Sequence, residues 1–181
     1  MTGPQVIVFT GLPGTGKSTV SEKLARTSGT PVFSGDWLLG SLTPYRILHH
    51  LDRPNYLALY NGLLETLFVR QLMFSQSAIT DCVVNDEIAR RWGDLAAEHG
   101  ARLRVIECVC TDTALHRSRI EGRQRGIPGW HEIDWDHVER MRIDFPALTV
   151  EKLTIDAVDP LEANSARVLD YLSDPIHSPA E

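Results

Sequence analysis

Residues 11–18 read Gly-Leu-Pro-Gly-Thr-Gly-Lys-Ser, and no other stretch of the chain constrains the fold as tightly. The octapeptide fits GxxxxGK[ST] at every fixed position. It stands between a short apolar run, Val6 to Thr10, and a segment patterned as a helix, 18–28, that is closed by Gly29. Strand, glycine-rich turn and helix, in that order, are the context the motif needs. The glycines let the backbone turn successive N–H groups inward toward phosphate oxygens. The start of the helix adds partial positive charge at the same place. Gly11, Pro13, Gly14, Thr15 and Gly16 are therefore the expected cradle. Lys17 reaches the β- and γ-phosphates, the Ser18 hydroxyl ligates Mg²⁺, and Thr19 supports the α-phosphate. The expected ligands are a nucleoside triphosphate, read as ATP, and Mg²⁺.

The rest of the chain alternates between strand-like and helix-like segments. Short apolar runs at 31–34, 77–84, 102–110 and 152–156 read as strands. Between them lie a short helix after Trp37 that Pro44 interrupts and a long amphipathic helix over about 55–74. Asn85 and Asp112 are N-caps of two more helices, the first stopped by Gly100. Two further helices are expected over about 135–145 and 161–172, and GIPGWHE, 126–132, is a turn-rich loop. Such alternation implies an α/β fold with a parallel sheet covered on both faces. With 181 residues the chain is expected to form one domain, 1–181, with a frayed, disordered tail at 173–181.

Composition narrows the partners. A net charge of −6 argues against a sequence-independent nucleic-acid binder and for a small substrate. No apolar run is long enough for a membrane span, and no basic segment precedes the first one, so a cytoplasmic protein is expected. Cys82, Cys108 and Cys110 form no CxxC pair and read as small buried residues. His49 and His50 have no partner pattern and are expected at the surface.

Two aspartates and a run of arginines complete the candidate site. Asp81 ends a strand, where a carboxylate can hold Mg²⁺ through a water; it also suits a strand-end turn. Asp36 follows the second strand. In a doubly wound sheet, ligands bind beyond the carboxyl ends of the strands, so both carboxylates should face the γ-phosphate. Asp36 can then accept a proton from an aligned hydroxyl, or cap a helix starting at Trp37. Arg119 and Arg123 stand at i and i+4 on one helical face, flanked by Arg117 and Arg125, with Glu121 alone of opposite charge among residues 117–125. Guanidinium forks match the charge of a transferring phosphoryl group, although a solvated helix surface would read alike.

GLPGTGKS, Asp36, Asp81 and the segment RIEGR, taken in that order, resemble the small P-loop kinases related to chloramphenicol phosphotransferase and to the kinase domain of phage-type polynucleotide kinase. RIEGRQRG is also similar to the lid segment of adenylate kinase. The resemblance spans about residues 5–172. It implies a three-layer P-loop NTPase sandwich with a five-stranded parallel sheet ordered 2-3-1-4-5 and a short helical lid, about 117–135. It implies Asp36 as the base toward the acceptor hydroxyl, with Lys17 and Arg123 also catalytic. Of Arg119 and Arg123, it implies one near the base or α-phosphate and the other toward the transferred phosphoryl group. The loop near Asp156 to Pro160 would lie by the adenine. The chain departs from polynucleotide-end kinases where Trp37, Leu38 and Leu39 follow Asp36 in place of a basic residue, Arg46 being the first. Arg46 and Arg53 do not form the paired pattern of a nucleoside monophosphate kinase.

The segment of about 37–75 would cover the acceptor. Trp37, Tyr45, Tyr56 and Tyr60 suit a neutral organic alcohol, though a Leu/Tyr stripe at helical spacing equally suits a core. The sequence thus predicts an ATP- and Mg²⁺-dependent kinase, monomer or homodimer, acting on a hydroxyl of an antibiotic, sugar or nucleoside. A polynucleotide 5′-hydroxyl kinase and an ATP-dependent switch protein are the alternatives.

Overall fold

Every residue of Gln5–Thr10 (β1) is buried, as befits the middle strand of the sheet, and its centre, Val6 to Phe9, is wholly apolar. A computed structural model describes residues 3–145 and 147–174. It places β1 between Ala78–Asp81 (β3) and Arg102–Val109 (β4). Val32–Ser34 (β2) and Leu153–Asp156 (β5) form the edges, giving the order β2-β3-β1-β4-β5 with all pairs parallel. This is the five-stranded order that the resemblance implied.

The helices are Lys17–Ser28 (α1), Gly35–Leu42 (α2), Arg53–Leu72 (α3), Asp86–Glu98 (α4), Thr113–Glu121 (α5), Trp135–Asp144 (α6) and Leu161–Ser173 (α7). Successive residues of β1 point to opposite faces, so the core is double. Val6 and Val8 pack with Leu64, Phe68 and Trp92 of α3 and α4. Ile7 and Phe9 pack with Val20 and Leu24 of α1 and Val168 of α7. Trp92 is fully buried, lies edge-on to Phe68 at 5.2 Å, and donates its indole N–H to Glu65 at 2.6 Å. The polar tip of the largest core side chain is thereby satisfied.

Asn85 and Asp112 cap their helices, accepting from the N–H of Ile88 and of Leu115, each at 2.9 Å. The long helix begins two residues before the predicted start because Asp52 caps it, with Pro54 in the first turn. Two expectations need correction. Asp36 is not the cap of α2: Ser34 holds that position, and Asp36 lies inside the first turn. Arg119 and Arg123 do not share a helix, because α5 ends at Glu121 with Gly122 at its C-cap. At the other end of the chain, α7 runs through Ser173, one residue into the stretch expected to fray; residues 175–181 lie outside those described. His49 and His50 are exposed in a 3₁₀ turn, and all three cysteines are buried and unpaired. Among the described residues no helix is long and apolar enough to cross a membrane.

Candidate active site

The strand register decides where the chemistry sits. Asp81 is paired with Phe9 on one side and Ser34 on the other. The loop after β1, the carboxylate ending β3 and the turn into α2 therefore open on one edge of the sheet.

Gly11, Gly14 and Gly16 have φ of 135°, 84° and 83°, values that side-chain-bearing residues rarely adopt. A β-carbon would meet backbone at Gly11 and a side-chain tip at Gly14. At Gly11 it would lie 2.1 Å from the Cys108 carbonyl oxygen, and at Gly14 it would lie 2.8 Å from Ile120. α1 starts from Gly16 with no side-chain cap and no acidic residue in its first turn, so its leading N–H groups remain available to an anion. Thr15 Oγ1 donates to the Leu12 carbonyl at 2.7 Å, bracing the loop from within. Lys17 Nζ folds back over the loop and donates to the carbonyls of Gly11 (2.8 Å) and Leu12 (3.0 Å).

The Ser18 hydroxyl donates to Asp81 Oδ2 at 2.5 Å. Burial pushes the Asp81 carboxyl above its usual range, and Lys17 and Ser18 offset part of that. A carboxylate buried with incomplete compensation favours an added cation. Among the described residues no three His, Cys, Asp or Glu side chains gather as a metal group. A cation at Ser18 and Asp81 would thus depend on phosphate and water ligands, which is the way Mg²⁺ is commonly bound.

A cavity of about 360 Å³ opens over this loop. Residues 14–20 form its floor, Arg119 and Arg123 one wall, and Ala157, Asp159 and Asn164 another. Arg119 ties the walls together by donating to the Ala157 carbonyl at 3.0 Å. Asp156 shapes the turn beyond β5 by accepting from Thr111 Oγ1 (2.5 Å) and from the Val158 N–H (3.0 Å). The loop expected near the adenine therefore borders the cavity.

The arginines divide by partner. Arg117 turns outward to Glu121 at 2.7 Å, both exposed. Arg123 lines the cavity, and its Nη1 is buried with no hydrogen-bond partner. Burial and, secondarily, the nearby Arg125 hold its pKa below the ordinary arginine value. Arg125 Nη1 donates to Asp36 Oδ2, and the Arg125 backbone N–H donates to Glu132 Oε1 at 2.7 Å. The segment after α5 thus reaches the cavity through Arg123 and Asp36 through Arg125.

Of the residues expected near the acceptor, Tyr60 packs so closely on Gly35 that a β-carbon there would meet its hydroxyl oxygen at 2.2 Å. Burial raises the Tyr60 pKa well above the usual tyrosine range; burial and then Asp36 raise that of Tyr56. Trp37 and Tyr45 are open to solvent, at 52% and 74% exposure. Leu64 and Phe68 are core. Arg53 pairs with Asp144 at 3.1 Å, linking α3 to α6.

Two residues escaped the sequence reading. Arg125 was seen only as a flanking charge, because its partner Asp36 is 89 residues away. His116 was not singled out. Its Nε2 donates to the Pro13 carbonyl at 2.7 Å, and its ring meets Trp135 of α6 edge-on at 5.1 Å. The available signal was its spacing of four from Ile120, which puts both on the buried face of α5, against Gly14.

The model of the AAA_33 family, described as an AAA domain, matches residues 6–148. The chain belongs to this family. Solved structures share the P-loop kinase-like fold at low identity. A gluconokinase from Sinorhizobium meliloti 1021 is 17% identical with a TM-score of 0.70, over 96% of this chain and 94% of that one. Kti12 from Chaetomium thermophilum, solved with ADP-AlF3, is 17% identical with a TM-score of 0.69, over 96% and 100%. The Mycobacterium tuberculosis APS kinase CysC, solved with AMPPNP and APS, is 16% identical with a TM-score of 0.59, over 96% and 100%. A search of curated proteins finds no match.

Proposed function

We propose that this protein is an ATP- and Mg²⁺-dependent kinase that transfers the γ-phosphoryl group of ATP to a hydroxyl of a small molecule. The observation that carries the reading is the lid. Two arginines, two positions apart, serve the nucleotide cavity and the Asp36 carboxylate. A protein that only bound or hydrolysed a nucleotide would not need a carboxylate held beside the phosphate end by the same segment.

In this reading the N–H groups of residues 14–19 and Lys17 hold the phosphates, and Arg119 and Arg123 close over them. Ser18 and Asp81 would hold Mg²⁺, which supplies charge neutralisation at the phosphates. The acceptor oxygen forms a bond to the γ-phosphorus, the bond from that phosphorus to the β–γ bridging oxygen breaks, and ADP leaves. The proton of the acceptor hydroxyl passes to Asp36. Its demand as a base is modest, because the transition state is loose and positioning with charge neutralisation dominates. Arg125 keeps the carboxylate oriented until the acceptor arrives.

Fold neighbours named as gluconokinase and APS kinase support a small acceptor. Motif order supports a closer kinship with the chloramphenicol phosphotransferase type. The apolar Trp37-Leu38-Leu39 after Asp36 and the net charge of −6 argue against a polynucleotide end.

Asp36→Asn tests the assignment, with phosphoryl transfer and ATP affinity measured separately. The expected result is a large loss of turnover with ATP binding kept. Wild-type turnover in this variant would sink the role given to Asp36.

A further inference from the structure

Buried donors without acceptors are concentrated in the lid. Among the described residues nine buried side-chain nitrogen or oxygen atoms lack a hydrogen-bond partner, and four of them fall within residues 123–130. These are Arg123 Nη1, Arg125 Nε and Nη2, and Trp130 Nε1, and all four are donors. The other five are scattered over Asn61, Arg102, Arg104, His116 and Asn164. Proteins satisfy nearly all buried polar groups, and an unpaired guanidinium donor is among the costliest to leave. A cluster of orphan donors on a segment that covers a site points to ligand oxygens that complete it.

Arg123 is accounted for by the nucleotide, since it lines that cavity. Arg125 does not line it. Its side chain is only 14% exposed; Nη1 is on Asp36, and Nε lies 3.7 Å from Glu132 Oε2, too far for a hydrogen bond. Its lid segment is pressed on α2: a β-carbon on Gly40 would stand 2.5 Å from the Pro128 carbonyl oxygen, and one on Gly129 would stand 2.3 Å from the Gly40 carbonyl oxygen. Arg125 therefore belongs to the acceptor side.

Building on the kinase reading, we propose that the acceptor carries an oxyanion, a carboxylate or a phosphate, and that Arg125 recognises it. To take the acceptor proton, Asp36 must turn to the hydroxyl and give up its hold on Arg125. A neutral alcohol would leave that guanidinium buried beside Arg123 with the looser ion pair to Glu132, at 3.7 Å, as its remaining counter-charge. Leaving a buried charge without its partner is strongly unfavourable. An oxyanion on the acceptor takes the place of Asp36, and the free Nε and Nη2 present the parallel donor pair that binds carboxylate or phosphate bidentately. The neutral acceptor suggested by the aromatic residues of 37–75 gives way to a hydroxylated acid or a phosphate monoester.

The test has two arms. In the first, the nucleotide site is filled with AMPPNP and Mg²⁺, and sulfate is titrated at constant ionic strength. The backbone amide signals of residues 123–130 are followed by NMR. A saturable shift is expected, with half-saturation moved to lower sulfate in Asp36→Asn, where the competing carboxylate is gone. The response should be lost in Arg125→Ala, whose folding is checked by its melting curve. In the second arm, matched pairs are screened for gain of one phosphoryl mass: sugar acids against the neutral sugars, and phosphate monoesters against the free alcohols. Transfer is expected to the charged members, and the two sets separate carboxylate from phosphate. For the best acceptor, Arg125→Ala should lower kcat/KM by about 30-fold or more, while AMPPNP affinity without acceptor stays put.

Absence of a sulfate response, or an equal response in Arg125→Ala, overturns the proposal. So does transfer confined to neutral members. A sulfate response that needs Arg125, with no transfer to any compound, upholds the anion site and overturns the kinase reading instead.

Discussion

Gly40→Ala separates lid closure from stability. Gly40 is the sixth residue of α2, and alanine is favoured over glycine inside a helix by roughly 0.5–1 kcal/mol. Taken alone, that would raise Tm by about 1–4 °C in a chain of this size. The added methyl, however, would lie 2.5 Å from the Pro128 carbonyl oxygen and 3.2 Å from Ile127 Cγ2. Carbon and oxygen need roughly 3.5 Å, so the lid backbone must retreat by about 1 Å. It has no flexible side chain to yield in its place. A retreat of that size at the segment carrying Arg123 and Arg125 should cost about 100-fold in turnover. Gly62→Ala is the control: it makes the same change inside α3, where a β-carbon meets nothing within 4 Å. Thermal melts and ATP turnover are measured on both variants. Gly40→Ala should melt within a few degrees of wild type and lose turnover, whereas Gly62→Ala should lose neither. Turnover near wild type in Gly40→Ala, or a matching loss in Gly62→Ala, would refute the claim that the lid is seated on α2.

Two further perturbations probe the supports of the site. His116→Leu removes the donor to the Pro13 carbonyl and should weaken ATP binding about 10-fold, with His116→Gln, which keeps an N–H donor, recovering part of the loss by calorimetry. Burial holds the His116 pKa below 6.5, opposed by its bond to Pro13 and by Glu139 and reinforced by Arg142 and Lys17. The unfolded chain therefore takes up a proton first, stability falls as pH drops below about 6.5, and the leucine variant should flatten that part of the stability curve. Asp86, at the start of α4, accepts from the Thr149 hydroxyl and N–H and from the Val150 N–H. The Thr149 hydroxyl bond is the main cause holding its pKa below 3.8. That stabilisation is fully present above pH 3.8 and is lost as pH falls through the lowered value. Melting curves of Asp86→Ala and wild type should therefore differ at neutral pH and converge in acid.

The parts of the site legible in the sequence were local. The phosphate loop needs only eight consecutive residues and their flanks. The caps at Asn85 and Asp112 need a side chain and an N–H three residues on. The failures all involve distance or an interruption. RIEGR has the spacing of a continuous helix, but Gly122 at the C-cap ends it, so Arg123 joins Arg119 in the cavity wall from outside the helix. Asp36 had the composition of a cap, yet helix α2 starts at Gly35, two residues before Trp37, with Ser34 at the cap and Tyr60 from α3 packed where a side chain on Gly35 would be. No periodicity in residues 117–125 could announce that Arg125 answers Asp36 across 89 positions.

The strand order then explains why one short segment matters so much. With β3 between β1 and β2, the phosphate loop and the turn carrying Asp36 are separated by a single strand that ends in Asp81. Among the described residues, the cavity wall whose segment also reaches Asp36 comes from beyond β4. α5 delivers it, anchored to the phosphate loop by His116 and to the far wall by Arg119. Arg123 and Arg125 then stand at most about 7 Å apart along the chain, and their partners lie on opposite sides of the Asp81 strand. A lid with that span cannot serve one ligand while ignoring the other. Filling the nucleotide cavity fixes Arg123, and with it the place of Arg125. In the kinase reading the nucleotide would thus complete the acceptor pocket, and nucleotide affinity should in turn rise when an acceptor replaces Asp36 on Arg125, because coupling between two sites is reciprocal.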